Sequence, residues 1–314
     1  MNKSDDPRIP VIIGPTASGK SAMAMAIAKR FGGDVINMDS MQVYRDLQVL
    51  SARPTAGDEA TVPHRLYGVL DASVVCSTAL WLDLVQPEIE DCFRKGRLPV
   101  LCGGTGLYLK ALMEGLAPVP AIPDAIRADV RDRMAEYGSE ALHRELASRD
   151  RVMAARLLPG DSQRIARALE VVLATGRSLA DWQREAASPL PYRPVIITVL
   201  PPRDLLYAGI DNRFSRMVEQ GALEEVDRLV SRTLPPTVPA MKALGVPELA
   251  AFRRGEISLE NAVVQAATKS RRYAKRQITW CNRQIISDLS IKEKYSESLD
   301  ANIFSFIENA CLTR

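Results

Sequence analysis

A glycine-rich segment near the amino terminus, GPTASGKS at residues 14–21, constrains the fold of this chain more than any other feature. It follows an apolar run at residues 9–13 that is typical of a buried strand. The residues after it, 21–31, favour a helix and stop at two glycines. A strand, a glycine loop and a helix in this order predict the first βαβ unit of an α/β fold with a parallel sheet.

The eight loop residues match the phosphate-binding pattern G-x-x-x-x-G-K-[ST] at every fixed position. In such a loop the backbone N–H groups and the start of the next helix face phosphate oxygens, the lysine adds a charge, and the hydroxyl can ligate Mg²⁺. An accidental match in a turn is the alternative, and the flanking strand and helix argue against it. We therefore expect a pyrophosphate or nucleotide site, with Mg²⁺ at Ser21, formed by Gly14, Pro15, Thr16, Ala17, Ser18, Gly19, Lys20 and Ser21.

The loop specifies phosphate and leaves the reaction open. Enzymes that hydrolyse nucleotides in such a loop usually hold the metal with an acid at the end of an apolar strand. The predicted strand at residues 99–102 ends in glycine, and residues 79–83 continue with the spacing of an amphipathic helix. The sequence thus offers little support for ordinary ATP hydrolysis.

The rest of the chain falls into regions that differ in predicted secondary structure. Residues 35–38 and 195–200 predict further strands, whereas residues 123–189 show only helical patterns, bracketed by prolines. The fold we predict is a P-loop NTPase-like parallel sheet flanked by helices, with an all-helical insertion domain. Its predicted parts are a discontinuous core at 1–122 and 190–290, an insertion at 123–189, and a C-terminal tail at 291–314 without a clear signal.

Composition limits the partners and the compartment. The net charge is only +3, so an RNA-binding surface would have to be a local patch. Five scattered cysteines and two histidines argue against disulfides and against a zinc centre. No segment approaches the about 18 apolar residues of a membrane span, and the amino terminus lacks a signal-peptide pattern. We expect a cytoplasmic protein, a monomer, without a membrane partner.

Four more segments follow the phosphate loop in a fixed order: DSMQVY at 39–44, GGTGLYLKAL at 103–112, QRIARALEVVLATG at 163–176 and RRYAKRQITW at 271–280. Together with the loop they resemble the tRNA dimethylallyltransferase family over about residues 10–285. The resemblance implies transfer of a dimethylallyl group from dimethylallyl pyrophosphate to the exocyclic amine of an adenosine. That adenosine lies directly 3′ of the anticodon, in tRNAs reading codons that begin with U. The loop would then hold the leaving pyrophosphate.

The resemblance also assigns the catalytic residues. Asp39 would be the general base that takes the proton of the adenine amine, and the alternative is that it caps the following turn. Thr105 would contact the bridging oxygen or the acceptor, and the alternative is an N-cap hydroxyl. Arg213 would bind the pyrophosphate, and a salt bridge along its own helix is the alternative.

A basic segment near the carboxyl end places five cations in the eight residues 269–276. Lys269, Arg272, Arg276 and Arg283 would form one helical stripe, for which a solvated face is the ordinary explanation. Tyr273 and Trp280 are expected in the core. By the resemblance, the residues that contact the anticodon stem-loop are Asp39, Ser40, Met41, Gln42, Thr105, Arg127, Gln163, Arg164, Ile165, Ala166, Arg167, Arg271, Arg272, Lys275, Arg276 and Gln277.

Other functions account for less of the chain. A P-loop kinase acting on a small molecule would explain residues 9–31 but not the basic segment, and a non-catalytic RNA-binding protein would leave Asp39 without a role. Prenylation of free adenine nucleotides would leave the helical insertion unexplained. The sequence departs from the family pattern at Asn37-Met38, at Arg53 and at residues 245–248, where Pro247 stiffens the chain.

Overall fold

A computed structural model describes residues 6–185 and 188–313. They pack as two compact units. The first takes its described residues from Met1–Met113 and Leu190–Arg314, and the second takes them from Glu114–Pro189.

The first unit is built on one parallel six-stranded sheet in the order β3-β2-β4-β1-β5-β6. This confirms the predicted parallel sheet, and the runs predicted from the sequence account for four of the strands. The two strands at the edges of the sheet were not predicted. The bounds are β1 Arg8–Ile13, β2 Asp34–Asn37, β3 His64–Arg65, β4 Pro99–Gly103, β5 Arg193–Val199 and β6 Leu289–Ile291.

Helices cover both faces of the sheet, as expected for a parallel sheet. Those of the first unit are α1 Lys20–Phe31, α2 Ala56–Thr61, α3 Thr78–Arg94, α4 Gly106–Glu114, α9 Arg203–Glu219, α10 Ala222–Ser231, α11 Val246–Arg253, α12 Leu259–Gln284 and α13 Asp300–Ile307. The second unit contains α5 Asp124–Arg149, α6 Arg151–Arg156, α7 Ser162–Thr175 and α8 Leu179–Trp182.

Alternation along β1 distributes its side chains between the two layers of the core. Ile9, Val11 and Ile13 pack in a cluster with Trp81 and other residues of α3. Ile12 packs on the opposite face, in a cluster with residues of α1. Because every one of these side chains is buried, β1 is fixed at the centre of the sheet, and the loop that follows it is held from both sides.

The carboxyl-terminal segment belongs to the first unit. β6 pairs with β5 through Ile197 and Leu289, and Ile303 of α13 is buried in the same cluster as α1. A three-residue strand has no readable period, which is why it could not be predicted from the sequence.

The second unit has an apolar core of its own. Val130 and Leu146 of α5 pack there with Ile165 and Leu169 of α7. Its described residues contain no strand, in agreement with the predicted all-helical insertion. Across the described ranges of both units, no helix is long and apolar enough to cross a bilayer.

Candidate active site

The loop between β1 and α1 has the geometry of an anion-binding nest. Ala17 and Gly19 both have a left-handed backbone, with φ of 64° and 92°, and such a reversal turns consecutive N–H groups inward. The Lys20 Nζ donates to the Pro15 carbonyl at 3.2 Å. A Cβ at Gly19 would lie 3.0 Å from the Cβ of Tyr295, so only glycine combines this φ with the close approach of Tyr295.

Two cations converge on this loop. Arg213, on α9, donates from Nη1 to the Thr16 hydroxyl at 2.7 Å. Burial lowers the pKa of Lys20 and that of Arg213, and the nearby Asp39 carboxylate opposes both shifts. Within the described part of the chain, neither cation forms an ion pair with a carboxylate, so the salt bridge considered for Arg213 is not present. Two desolvated cations beside a nest of amides form a site for a multiply charged anion.

Asp39 lies just beyond the carboxyl end of β2, and the Asn37 side chain supports it. Asn37 Oδ1 accepts the Asp39 N–H at 2.8 Å, while its Nδ2 donates to the carbonyls of Asp39 and Leu66, both at 3.0 Å. Asp39 Oδ1 accepts the Met41 N–H at 2.9 Å, which closes an Asx turn. No donor among the described residues binds Oδ2, so the turn occupies one oxygen and leaves the other for a substrate.

Thr105 joins the loop after β4 to the loop after β2. Its hydroxyl accepts the Ser40 N–H at 3.0 Å. Burial raises the pKa of the Tyr273 phenol. The Thr105 hydroxyl thus links the GGTG loop to the Asp39 turn, and no hydrogen bond of the described residues uses it as an N-cap for α4.

Gln277 requires a correction, because the sequence placed it among the residues that contact tRNA. Only 6% of it is exposed. Its Oε1 accepts the Thr16 N–H at 3.0 Å and its Nε2 donates to the Gly104 carbonyl at 2.9 Å. A Cβ at Gly104 would lie 2.2 Å from that Nε2. Gln277 thus positions the phosphate loop against the GGTG loop, with each end of its amide bonded inside the protein.

One cavity, of about 300 Å³, is lined by the phosphate loop, by Arg213 and Asp39, and by an apolar wall. The phosphate-loop residues from Thr16 to Ser21 line it together with Asp39 and Tyr273. Met41 and Gln42, two of the predicted acceptor contacts, also line it. Its apolar side chains are Leu50, Ile210, Phe214, Met217, Ala243 and Leu244.

The sequence missed the apolar wall and Tyr273. Tyr273, expected in the core, lines the cavity instead. Trp280 does pack against the cluster that contains α3, as predicted. Phe214 and Met217 repeat with the spacing of a buried helix face, a pattern that looks the same whether the face contacts core or substrate.

The residues available for a metal are few. The Ser21 hydroxyl lies near the buried Cys102 thiol, whose pKa is raised to about 11 by burial. Over residues 6–185 and 188–313, no group of three or more His, Cys, Asp or Glu could hold a metal ion. Mg²⁺ commonly takes one or two protein ligands, with substrate phosphates and water supplying the rest, and Ser21 fits that pattern.

The cations of α12 differ in how far they are engaged. Arg272, Lys275 and Arg276 are exposed, and the Arg276 guanidinium lies 5.4 Å from the centroid of the Tyr273 ring. Arg271 is bonded to Asp211 and Thr268, and Lys269 is paired with the buried Glu248. The predicted stripe is therefore only partly available to a ligand.

In the second unit, two of the five residues of α7 that were predicted to contact tRNA are exposed to solvent. Gln163 and Arg164 are exposed, Arg167 lies near Glu170 at 3.4 Å, and Ala166 is half-buried. Ile165 is fully buried in the core of the unit, so a direct contact with RNA is wrong for this side chain. Arg127, on α5, is exposed.

Comparison with known sequences gives a consistent family. The sequence model described as IPP transferase matches residues 42–284, and the one described as isopentenyl transferase matches residues 7–75. A protein named tRNA dimethylallyltransferase from Rhodospirillum rubrum is 52% identical, covering 95% of this chain and 92% of the relative. One of the same name from Paramagnetospirillum magneticum is 50% identical, covering 100% and 99%.

Solved structures agree. The tRNA isopentenylpyrophosphate transferase of Bacillus halodurans is 33% identical, with a TM-score of 0.71, covering 98% of this chain and 97% of that one. A eukaryotic dimethylallyltransferase acting on tRNA has a TM-score of 0.81 at 24% identity, covering 96% and 78%, a likeness of fold.

Proposed function

The chain belongs to the IPP transferase family, and we propose that it transfers a dimethylallyl group from dimethylallyl pyrophosphate to the N6 amine of an adenosine in tRNA. The acceptor would be the adenosine 3′ of the anticodon in tRNAs reading codons that begin with U. The observation that carries the proposal is the single cavity in which a phosphate loop, an apolar wall and the Asp39 carboxylate meet. A kinase would need a metal-binding acid at the end of β4, where Gly103 stands.

The two ends of the donor match the two sides of the cavity. The pyrophosphate would lie in the loop, where Lys20, Arg213 and the loop amides neutralise its charge. The five-carbon dimethylallyl group would lie against Phe214, Met217 and their apolar neighbours. These side chains would also exclude water, which otherwise competes with the amine for the allylic carbon.

The transfer breaks one bond and forms another. The bond between the allylic C1 and the bridging oxygen breaks, and the electron pair leaves with pyrophosphate, whose charge is stabilised by Lys20 and Arg213. The adenine N6 forms the new bond to C1. Asp39 would accept the N6 proton on its free Oδ2, with its orientation fixed by the Asx turn and by Asn37.

Mg²⁺ would be held by Ser21 and would supply further neutralisation of the pyrophosphate charge. Thr105, whose hydroxyl accepts the Ser40 N–H, and Tyr273, which lines the cavity, would fix the other side of the acceptor site. Outside the cavity, the tRNA would be held by exposed residues of both units, in particular Arg272, Lys275 and Arg276 of α12 and Gln163 and Arg164 of α7.

The proposal is tested with labelled dimethylallyl pyrophosphate and unmodified tRNA. We expect label in the RNA, located after nuclease digestion at the adenosine 3′ of the anticodon. A tRNA with guanosine at that site is the matched control and should stay unlabelled. Label in free AMP but not in tRNA, or consumption of ATP without label transfer, would contradict the proposal.

A further inference from the structure

A second cavity, of about 590 Å³, lies outside the carboxyl ends of β5 and β6. We call it the β5–β6 groove; its lining includes Pro202, Arg203, Tyr207, Lys275, Asn282 and Lys292. All six strands are parallel, so this groove opens at the same edge of the sheet as the phosphate loop after β1. In sheets of this kind, ligands gather along that edge.

The groove is strongly cationic. Arg203, Lys275 and Lys292 line it and are exposed. In the chain as described, none of the three is paired with a carboxylate, and no Asp or Glu lines the groove. Asp204, in the first turn of α9, is not among the lining residues. Elsewhere on α12, two cations are neutralised: Arg271 is paired with Asp211 and Lys269 with Glu248.

The groove also has a rigid wall. The Arg203 guanidinium lies 4.9 Å from the centroid of the Tyr207 ring, an arrangement that restrains the long side chain and leaves its N–H groups free to donate. The ring and Ile278 belong to a small apolar cluster with Leu206, Ile210 and Ala274. One of the three cations is therefore preorganised over a packed base.

The groove and the active cavity share two helices. α9 contributes Arg213 to the cavity and Arg203 to the groove, and α12 contributes Tyr273 to the cavity and Asn282 to the groove. Tyr273 and Asn282 are nine residues apart, which is roughly 14 Å along a helix. A ligand that reaches both sites must be longer than one nucleotide and must carry negative charge along its length.

We propose that the β5–β6 groove binds a backbone phosphate of the tRNA whose adenosine occupies the active cavity. The inference rests on the proposed function and extends it to residues outside the motifs that resemble the family, Arg203 and Lys292 in particular. A wide, open groove with separate cations can bind a phosphate that belongs to a polymer, because the other contacts of the polymer keep that phosphate in place.

The test is the double variant Arg203→Gln with Lys292→Gln, compared with Lys294→Gln. Lys294 is exposed, two residues from Lys292, and does not line the groove. Binding of unmodified tRNA without donor should weaken about tenfold in the double variant. The slope of log K against log salt should become shallower by about 0.7 for each phosphate that the variant no longer neutralises. The KM for dimethylallyl pyrophosphate and the transfer rate at saturating tRNA should stay at the wild-type values.

The outcomes are separable. A double variant whose tRNA affinity and salt slope equal those of Lys294→Gln, with an unchanged melting temperature, overturns the proposal. So does binding of inorganic phosphate that disappears in the double variant while tRNA affinity is unchanged, since the groove would then serve a free anion. Because binding is measured without donor, the groove can be tested even if wild-type protein labels no tRNA, the result that would contradict the proposed function instead.

Discussion

At the scale of single residues, we propose two roles for the two oxygens of the Asp39 carboxylate. Its Oδ1 closes the turn with the Met41 N–H, and its Oδ2 is the oxygen that we assign as the base. Asp39→Asn keeps an acceptor for the turn and removes the base. We expect single-turnover transfer to fall about 10²- to 10⁴-fold, while the Kd for tRNA changes less than about twofold. Near-normal turnover in this variant would show that another group takes the proton.

Gln277 offers a residue-scale test of positioning. Gln277→Leu removes both hydrogen bonds that join Thr16 and Gly104, at a cost of about 1–3 kcal/mol in the free energy of unfolding. We expect the KM for dimethylallyl pyrophosphate to rise, because the phosphate loop loses a restraint, while tRNA affinity is retained. Gln277→Glu, which still accepts from Thr16, should recover part of the KM. Weaker tRNA binding with an unchanged KM would restore the role in tRNA contact that the sequence suggested.

The burial of Lys20 makes pyrophosphate binding depend on pH. In the free protein the pKa of Lys20 lies below its ordinary value of 10.5, chiefly because of burial, and an anionic ligand favours the protonated form. Affinity should therefore fall as the pH rises through this lowered pKa, and binding there should take up protons. Calorimetry in two buffers of different ionisation enthalpy measures the uptake. Lys20→Arg keeps its charge and serves as the control: the same fall in that variant would assign the pH dependence to the ligand.

At the scale of elements, the sequence predicted those segments whose pattern is local. β1, the loop and α1 are strand, nest and helix as predicted, and residues 79–83 lie in the helix α3. β3 and β6, of two and three residues, have no period to detect and depend on their neighbours in the sheet. Tyr273 and Gln277 lie on α12, which the sequence predicted as a helix with a basic stripe, but the packing of α12 on distant loops decides which of its faces meets the cavity.

Helix α7 allows tRNA contact and the stability of the fold to be tested separately, at neighbouring residues of one motif. Arg164 is exposed and its neighbour Ile165 is buried. Arg164→Ala should weaken tRNA binding without changing the unfolding free energy, because it deletes one phosphate contact. Ile165→Ala should cost about 2–5 kcal/mol in unfolding.

Denaturant titration and tRNA binding measure the two effects. The control Arg156→Ala, an exposed arginine on α6, should change neither. Equal weakening of tRNA binding in Arg156→Ala and Arg164→Ala would point to a diffuse field of charge rather than a contact by α7.

At the scale of the whole molecule, the active cavity is assembled across the length of the sequence. Thr16 and Gln277, joined by a hydrogen bond, are 261 residues apart, and Thr16 and Arg213 are 197 apart. All of these residues belong to the first unit. The ligand of the phosphate loop should therefore stabilise the fold of that unit as a whole, because residues of the distant helices α9 and α12 hold the loop.

Calorimetry should resolve the two units, since each buries its own apolar core and a chain of this kind need not unfold in one step. Leu146→Ala, in the core of the second unit, should lower the temperature of one transition, because the removed side-chain carbons leave a cavity, and so identify that transition. Pyrophosphate at a hundred times its Kd should stabilise only the unit that unfolds in the other transition, by about 2.7 kcal/mol in the free energy of unfolding. In Lys20→Met that shift should disappear. If pyrophosphate moved both transitions equally, the units would unfold as one, and the separate cores would not define separate stabilities.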